Sequence, residues 1–424
     1  MPLPQLPEGP VRLENVTLPA ACLTGEAGMT RGSLSLEDGR IVAGETAMAA
    51  RVDMGGAMVF PTFVDMHTHL DKGHIWARAP NPNGSFEGAL GAVRADAEAR
   101  WSAEDVRARM EFALRGAYAH GTSAIRTHLD SHAPQDAISW GVFAEVQADW
   151  ADRIALQAAC LCACPYALED DFQATADLVA GARDGVLGMV TYPSADLQDQ
   201  LDAFFEAAEA RGLAVDLHVD ETMDASVNTL ADVARTVLAR GFERPVTVGH
   251  LCSLSAMEDR VALQTLDLVA QAGLHVVSLP MCNLYLQDRH GARTPRLRGI
   301  TLVHEMVARG IPVSFASDNT RDPFYAYGDL DMLEVLREAT RIGHLDHSEI
   351  DWIRSVLTAP AAACGFDAPS LAPGAPADLV ICNARSWTEL FARPQADRIV
   401  LRGGKPIDRT LPDYAELDPL MEAS

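Results

Sequence analysis

The chain has 424 residues, 48% of them hydrophobic and 22% charged, the balance of an ordinary globular protein with room for one large domain and a smaller one. Its 59 acidic against 34 basic residues give a formal charge of −25, which repels a phosphate backbone and argues against a nucleic acid partner. No apolar run reaches the ~20 residues of a membrane helix and Met1-Pro2-Leu3-Pro4 opens no secretory signal, so the expectation is a cytoplasmic protein without a membrane partner.

Taken in chain order, the first 56 residues hold short alternating runs, Val11-Arg12-Leu13-Glu14-Asn15 and Gly32-Ser33-Leu34-Ser35-Leu36, broken by Gly and Asp, which read as strands and turns. An apolar run from Phe60 then ends in His67-Thr68-His69. After it, strand-like segments (123–127, 154–162, 186–192, 214–218, 246–250, 274–279 and 313–317) alternate with stretches of helical spacing such as 103–120 and 197–211, each of which finishes near a glycine. With the His67 strand that makes eight strand-helix repeats, the pattern of an α/β TIM barrel over 57–370. The tail from 371 returns to the texture of the first 56 residues, in Asp378-Leu379-Val380-Ile381-Cys382 and Ile399-Val400-Leu401-Arg402. The eight cysteines lack the paired C-x-x-C spacing of a zinc ribbon, and Cys160, Cys162 and Cys164, which alternate along one strand, read as small buried hydrophobes.

The chemistry lies at the strand ends. Side chains at i and i+2 of a strand share a face, so His67 and His69 converge on one point, as ligands of a divalent transition metal must. The strand 213–217 ends in His218, with Glu221 three residues on; 246–249 ends in His250; 312–317 ends in Asp318. In a parallel barrel these ends gather at one mouth.

The order H-x-H, H-x-x-E, H, D resembles the amidohydrolase superfamily, and within it the cytosine-deaminase-like branch. Arg126-Thr127-His128-Leu129-Asp130, Asp318-Asn319-Thr320-Arg321-Asp322-Pro323-Phe324 and Pro373-Gly374-Ala375-Pro376-Ala377-Asp378-Leu379-Val380 carry the likeness further, from about Asp53 to about Val380. The resemblance implies that both chain ends (1–56 and 371–424) pair into a small β-sandwich beside the barrel, and that the protein is a homo-oligomer. It implies one divalent metal ion, Zn2+ or Fe2+ with Mn2+ also accommodated, held by His67, His69, His218 and Asp318. Asp318 would also move the water proton to the departing amine, Glu221 would protonate a ring nitrogen, and His250 would hydrogen-bond the attacking water. A carboxylated lysine bridging two metals is not expected, because the fourth strand ends in Thr191-Tyr192-Pro193.

The implied reaction removes an amino group from a small nitrogen heterocycle of nucleobase-like metabolism. For the pocket, Trp76, Phe86, Phe324 and Tyr327 suit a flat ring by stacking, and Tyr166 lies in the stretch after the third strand. Asn283 and Gln287 could read its polar edge, and Arg126 and His128 could support the ligands from behind. Lys72 and His74 are read two ways, as pocket groups or as loop residues. Two departures bear on substrate. The cytosine-specific enzymes carry a glutamine after the third strand, where this chain has Cys162-Ala163-Cys164-Pro165-Tyr166, and a second aspartate after the metal aspartate, where it has Asn319. Cytosine is therefore expected to be poor, with a pterin, a triazine or a creatinine-like ring open. Two alternatives stand beside deamination: hydrolysis of another C–N bond, in an N-alkylamino heterocycle or a cyclic amide, and a non-catalytic binding or assembly module.

Overall fold

The computed structural model describes residues 2–44 and 49–422. The chain forms two compact units, one of residues 1–64, 115–123 and 331–411, the other of 65–114, 124–330 and 412–424. The strands in chain order are β1 (Val11–Pro19), β2 (Met29–Glu37), β3 (Arg40–Val42), β4 (Ala50–Asp53), β5 (Met58–Pro61), β6 (Phe63–Thr68), β7 (Thr122–Asp130), β8 (Ala155–Leu161), β9 (Leu187–Thr191), β10 (Val215–Val219), β11 (Val246–His250), β12 (His275–Ser278), β13 (Val313–Phe315), β14 (Leu379–Cys382), β15 (Ile399–Arg402) and β16 (Lys405–Pro406).

The first unit is built on an eight-stranded sheet in the order β16-β15-β14-β5-β1-β2-β3, with β4 on β1. Both chain ends meet in it: β14 lies antiparallel to β5, with Val380 opposite Phe60, and both residues are fully buried. Alternation sets the register elsewhere, as in Leu13 opposite Leu34 and Val11 opposite Leu36. Gly121, at φ 98°, has Val380 Cγ2 only 2.4 Å from where a Cβ would stand, so no larger residue fits there.

The second unit carries the strand-helix repeats. The helices that follow in order are α1 (Phe86–Arg100), α2 (Ala103–His120), α3 (Gln135–Asp149), α4 (Phe172–Gly181), α5 (Leu197–Arg211), α6 (Thr229–Arg240), α7 (Asp259–Gln271), α8 (Pro280–Leu286) and α9 (Val303–Val307). Strands β9 to β13 pair in sequence order as a parallel sheet, and β6-β7-β8 form a second one. Parallel bridges continue the order, Ala159 to Val186 and Ala163 to Val190 between β8 and β9, and Thr68 to Asp318 beside β6. This is a TIM-barrel-like α/β arrangement. Strands buried on both faces explain the apolar runs of the sequence, and glycines in the left-handed conformation end α5 (Gly212) and α6 (Gly241) where the helical pattern stopped.

The compact units do not follow the boundaries at 56/57 and 370/371. Residues 57–64 still serve the sheet through β5, and 331–370 group with it, with Asp331 bound by Arg398 Nη1 at 2.8 Å. The last residues group with the strand-helix unit, where Tyr414 packs on Phe112 at 5.4 Å and Arg78 donates to the Leu420 carbonyl at 3.0 Å. Among the described residues no helix is long and apolar enough to cross a membrane, and all eight cysteines are buried and free of disulfides.

Candidate active site

Three strand ends bring one set of donor atoms together. His67 Nε2 lies 3.1 Å from His218 Nε2 and 3.6 Å from Asp318 Oδ1, while His69 Nε2 lies 3.4 Å from His218 Nε2 and 3.1 Å from Asp318 Oδ1. The backbone fixes this set: Asp318 N donates to the His67 carbonyl at 2.8 Å, and Ser317 N donates to Asp65 Oδ1 at 3.1 Å. Gly249 leaves room for the His67 ring, since a Cβ there would meet His67 Cε1 at 3.2 Å. Non-glycine residues at positive φ cluster at these ends, namely Asp220, His250, Leu251 and Asp318 (51°, 72°, 54° and 63°), a strained backbone of the kind found where side chains must be aimed.

The electrostatics suit a cation. Burial and then neighbouring imidazoles push His67 and His218 well below the usual histidine range, and burial, Lys72 and other imidazoles do the same to His69, so all three rings stay neutral with a lone pair to offer. Neutral imidazole nitrogens facing one another cannot all be hydrogen-bond donors and acceptors, and both oxygens of buried Asp318 lack an N–H or O–H donor among the described residues, with the Cys282 thiol beside them. The edge of a tetrahedron around a metal with bonds of ~2.1 Å is about 3.4 Å, and the observed separations of 3.1 to 3.6 Å bracket it. This buried His/Asp group can therefore hold a divalent ion. His128, whose ring lies 4.0 Å from that of His67, completes a wider histidine cluster but faces Asp216 Oδ1 at 3.2 Å.

Beside the group opens a cavity of about 470 Å3 lined by His69, Lys72, Phe86, Asp130, His132, Cys162, Ala163, Tyr192, His218, Glu221, His250, Asp318, Asn319 and Phe324 among others. Glu221, 11% exposed, has its carboxyl 3.4 Å from His250 Nδ1. Burial and then Asp318 push that carboxyl well above the usual glutamate range, with Lys72 opposing. His250 is pushed down to about 3 by burial, His128 and Lys72. Burial works against the Lys72 ammonium, yet Asp130, Asp322, Asp71 and Asp318 hold its pKa above the ordinary lysine value. Its Nζ is 3.5 Å from Asp130 Oδ1 and 5.1 Å from the centre of the Phe324 ring, so the pocket reading of Lys72 is the one the geometry favours.

Other expected pocket residues stand elsewhere. Trp76 is half-buried and off the cavity wall, because His74 turns the chain at φ 61° and Trp76 N is tied to the Arg321 carbonyl at 2.8 Å. His74 is likewise off the wall, packed against Phe112 at 4.8 Å. Tyr166 is off the cavity wall, with its hydroxyl at Thr175 Oγ1 (3.1 Å) and its ring packed on Phe172 and, at 5.0 Å, behind the wall residue His132. Tyr327 is 64% exposed and packs edge-on to Tyr285 and Tyr325. Asn283 is buried behind His250, with Nδ2 3.0 Å from His250 Nδ1, and Gln287 Nε2 donates to the Glu221 carbonyl at 3.1 Å. Asn319 lines the cavity, but its amide donates to Asp322 Oδ2 at 2.7 Å and its oxygen accepts from Cys282 Sγ at 3.5 Å.

The sequence reading missed three acids. Asp216, two residues before His218 and on its face, takes Arg126 Nη1 at 2.8 Å, and Arg126 Nε donates to Gln157 at 2.6 Å. Asp220, between His218 and Glu221, accepts from Thr229 N, Thr229 Oγ1 and Leu230 N and so pins that segment to the start of α6. Asp71 accepts from Asp130 N at 2.9 Å and Ser139 Oγ at 3.1 Å, which ties the His67 strand end to β7. The i, i+2 spacing of Asp216 and His218 was the available signal for the first; the other two carry none.

Parallel strands with a buried group of three imidazoles and a carboxylate at their carboxyl ends are the arrangement of the metal-dependent amidohydrolases. The chain matches the Amidohydrolase family over residues 50–159 and 115–408 and belongs to it. It is 55% identical over 422 residues to pterin deaminase of Rhizobium rhizogenes, covering 97% of each chain. Of solved structures, 5-methylcytosine deaminase from Klebsiella pneumoniae with 5-fluorocytosine aligns with TM-score 0.79 at 26% identity over 94% of this chain and 97% of that one. N-isopropylammelide isopropylaminohydrolase from Burkholderia multivorans aligns with TM-score 0.72 at 25% identity over 94% and 98%.

Proposed function

We propose that this chain hydrolytically deaminates a pterin, replacing the exocyclic amine of the fused ring with oxygen and releasing ammonia. The observation that carries the reading is the convergence of His67, His69, His218 and Asp318, at 3.1 to 3.6 Å, beside a cavity that His69, His218, Asp318 and Glu221 line. The likeness to pterin deaminase supports the choice of ring. On this reading the eight parallel strands close into a (β/α)8 barrel and the sheet of both chain ends forms the small β-sandwich.

His67, His69, His218 and one oxygen of Asp318 would hold a single ion, Zn2+ or Fe2+ with Mn2+ also suited to this donor set. When bound, the ion supplies Lewis-acid activation of a water at neutral pH. The second oxygen of Asp318 is the base that takes one proton of the attacking water and passes it to the leaving amine, and the other water proton, lost as the carbonyl forms, restores the acid form of Glu221. Glu221, kept in its acid form by burial, protonates the ring nitrogen next to the amino-bearing carbon and makes that carbon electrophilic. His250 donates to the oxygen that develops charge. Lys72 meets a carbonyl of the ring, and Phe324 and Phe86, edge-on to each other at 5.3 Å, wall the flat substrate. No carboxamide borders the cavity from Cys162 or Ala163, which fits a ring other than cytosine.

The test is product analysis. Incubation with pterin should give the 2,4-dioxo pteridine and ammonia in about equal amounts. Release of an alkylamine from an N-alkylated triazine with no ammonia from pterin would favour the second reading, to which the isopropylaminohydrolase likeness points.

A further inference from the structure

We propose that α8 is a bracket for the active site, in which Asn283 fixes the tautomer of His250 and so keeps that imidazole a hydrogen-bond donor to the reacting oxygen instead of one more metal ligand. The inference rests on the metal-hydrolase reading above. Strand β12 ends in Val276-Val277-Ser278 and supplies no ligand. The segment that follows it reaches three other strand ends instead. Cys282 Sγ meets Asn319 Oδ1 at 3.5 Å, Asn283 Nδ2 meets His250 Nδ1 at 3.0 Å, and Gln287 Nε2 meets the Glu221 carbonyl at 3.1 Å. All three side chains are buried, at 0%, 1% and 8% exposure, so each contact is shielded from competition by solvent.

The Asn283 contact has a chemical consequence. A neutral imidazole carries one proton, and a nitrogen that accepts a hydrogen bond cannot be the one that bears it. An amide N–H aimed at Nδ1 therefore places the proton on Nε2. His250 Nε2 is buried with no hydrogen-bond partner among the described residues, and the ring offers a nitrogen within 4.8 Å of donor atoms of His67 and Asp318. With Nε2 protonated, that edge presents a donor to an oxygen at the site. With the proton on Nδ1, the same edge presents a lone pair to the metal position, where water must bind. An inverted Asn283 amide, oxygen towards Nδ1, would give this second state.

Asn283→Asp offers only acceptors to Nδ1 and should move the proton there. Nitrogen-15 NMR of the metal-free protein, labelled at histidine and assigned with His250→Gln, should show His250 protonated at Nε2 in the wild type and at Nδ1 in Asn283→Asp. The variant should keep its metal and its KM while kcat falls ~10²-fold or more, the scale for losing a donor to a developing oxyanion. A wild-type His250 protonated at Nδ1, or an Asn283→Asp kcat within threefold of wild type, overturns the proposal. If Asn283→Asp does not fold, the wild-type spectrum decides alone. If wild type releases no ammonia from pterin, the substrate reading fails, and the tautomer measurement, which needs neither substrate nor metal, still stands.

Discussion

Replacing Glu221 with glutamine takes away one transferable proton and leaves the surroundings in place. The side chain is 11% exposed, the amide has nearly the volume of the carboxyl, and Gln287 holds the backbone carbonyl of residue 221 at 3.1 Å in either case. Burial and Asp318 raise the carboxyl well above its ordinary value, so wild type keeps an acid form where a solvated glutamate would already be ionised. A glutamine cannot protonate a ring nitrogen. The expected loss in kcat is ~10² to 10⁴, about 2.7 to 5.5 kcal/mol of barrier. KM and metal content should hold, because Glu221 lies outside the donor set of His67, His69, His218 and Asp318, with its carboxyl 3.4 Å from His250 Nδ1. The sign of the pH dependence follows: the acid form is the active one, so wild-type kcat falls as pH rises through the raised pKa, and Glu221→Gln lacks that limb. The assay is ammonia release at saturating pterin, with metal analysis on the same sample across pH. A kcat within threefold of wild type at full metal loading refutes the role of Glu221 as acid.

Three further outcomes follow from the same geometry. Arg126→Met strips Asp216 of a 2.8 Å partner inside the strand-helix unit and leaves a buried carboxylate with His128 at 3.2 Å and no guanidinium, which should cost about 3 to 5 kcal/mol in urea unfolding. Asp331 is largely buried, yet Arg398 and His120 outweigh the burial and hold its pKa below the ordinary value; such a group contributes stability above its unfolded pKa of ~3.9 and loses it as pH falls through the folded one, so Arg398→Met should flatten the acid limb of stability below about pH 4, read by urea midpoints from pH 2 to 6. Cytosine should be turned over with kcat/KM at least ~10²-fold below that of pterin, since Cys162 and Ala163 offer no amide and the Asn319 amide is bound to Asp322 at 2.7 Å; parity between the two substrates would contradict this account of the pocket.

What the sequence made legible was set by backbone periodicity. His67 and His69 share a strand face, and His218, His250 and Asp318 each end an apolar run, so their meeting follows from parallel strands. The side chains after those ends obey no period. Trp76 and Tyr166 lie in turns whose direction depends on a left-handed His74 and on a short helix turn at Cys164–Leu168, and neither is encoded by apolar spacing. Asn283, which follows a strand, is expected to face substrate; it faces His250, since α8 begins at Pro280 and turns its first residues inward behind that ring. Asp220 and Asp71 act through backbone amides far along the chain, contacts that leave no pattern in residue order. The grouping of residues 331–370 with the first unit rests on pairs such as Asp331 with Arg398, equally invisible to periodicity.

The central claim is that one cation, held by His67, His69, His218 and Asp318, is needed for release of ammonia from a pterin. Chelator-stripped protein titrated with Zn2+ or Fe2+ tests it most directly. Ammonia release should start near zero, rise linearly and break at about one equivalent per chain, with the break abolished in His69→Ala. Full activity in the stripped protein, or a break at about two equivalents, would contradict the claim.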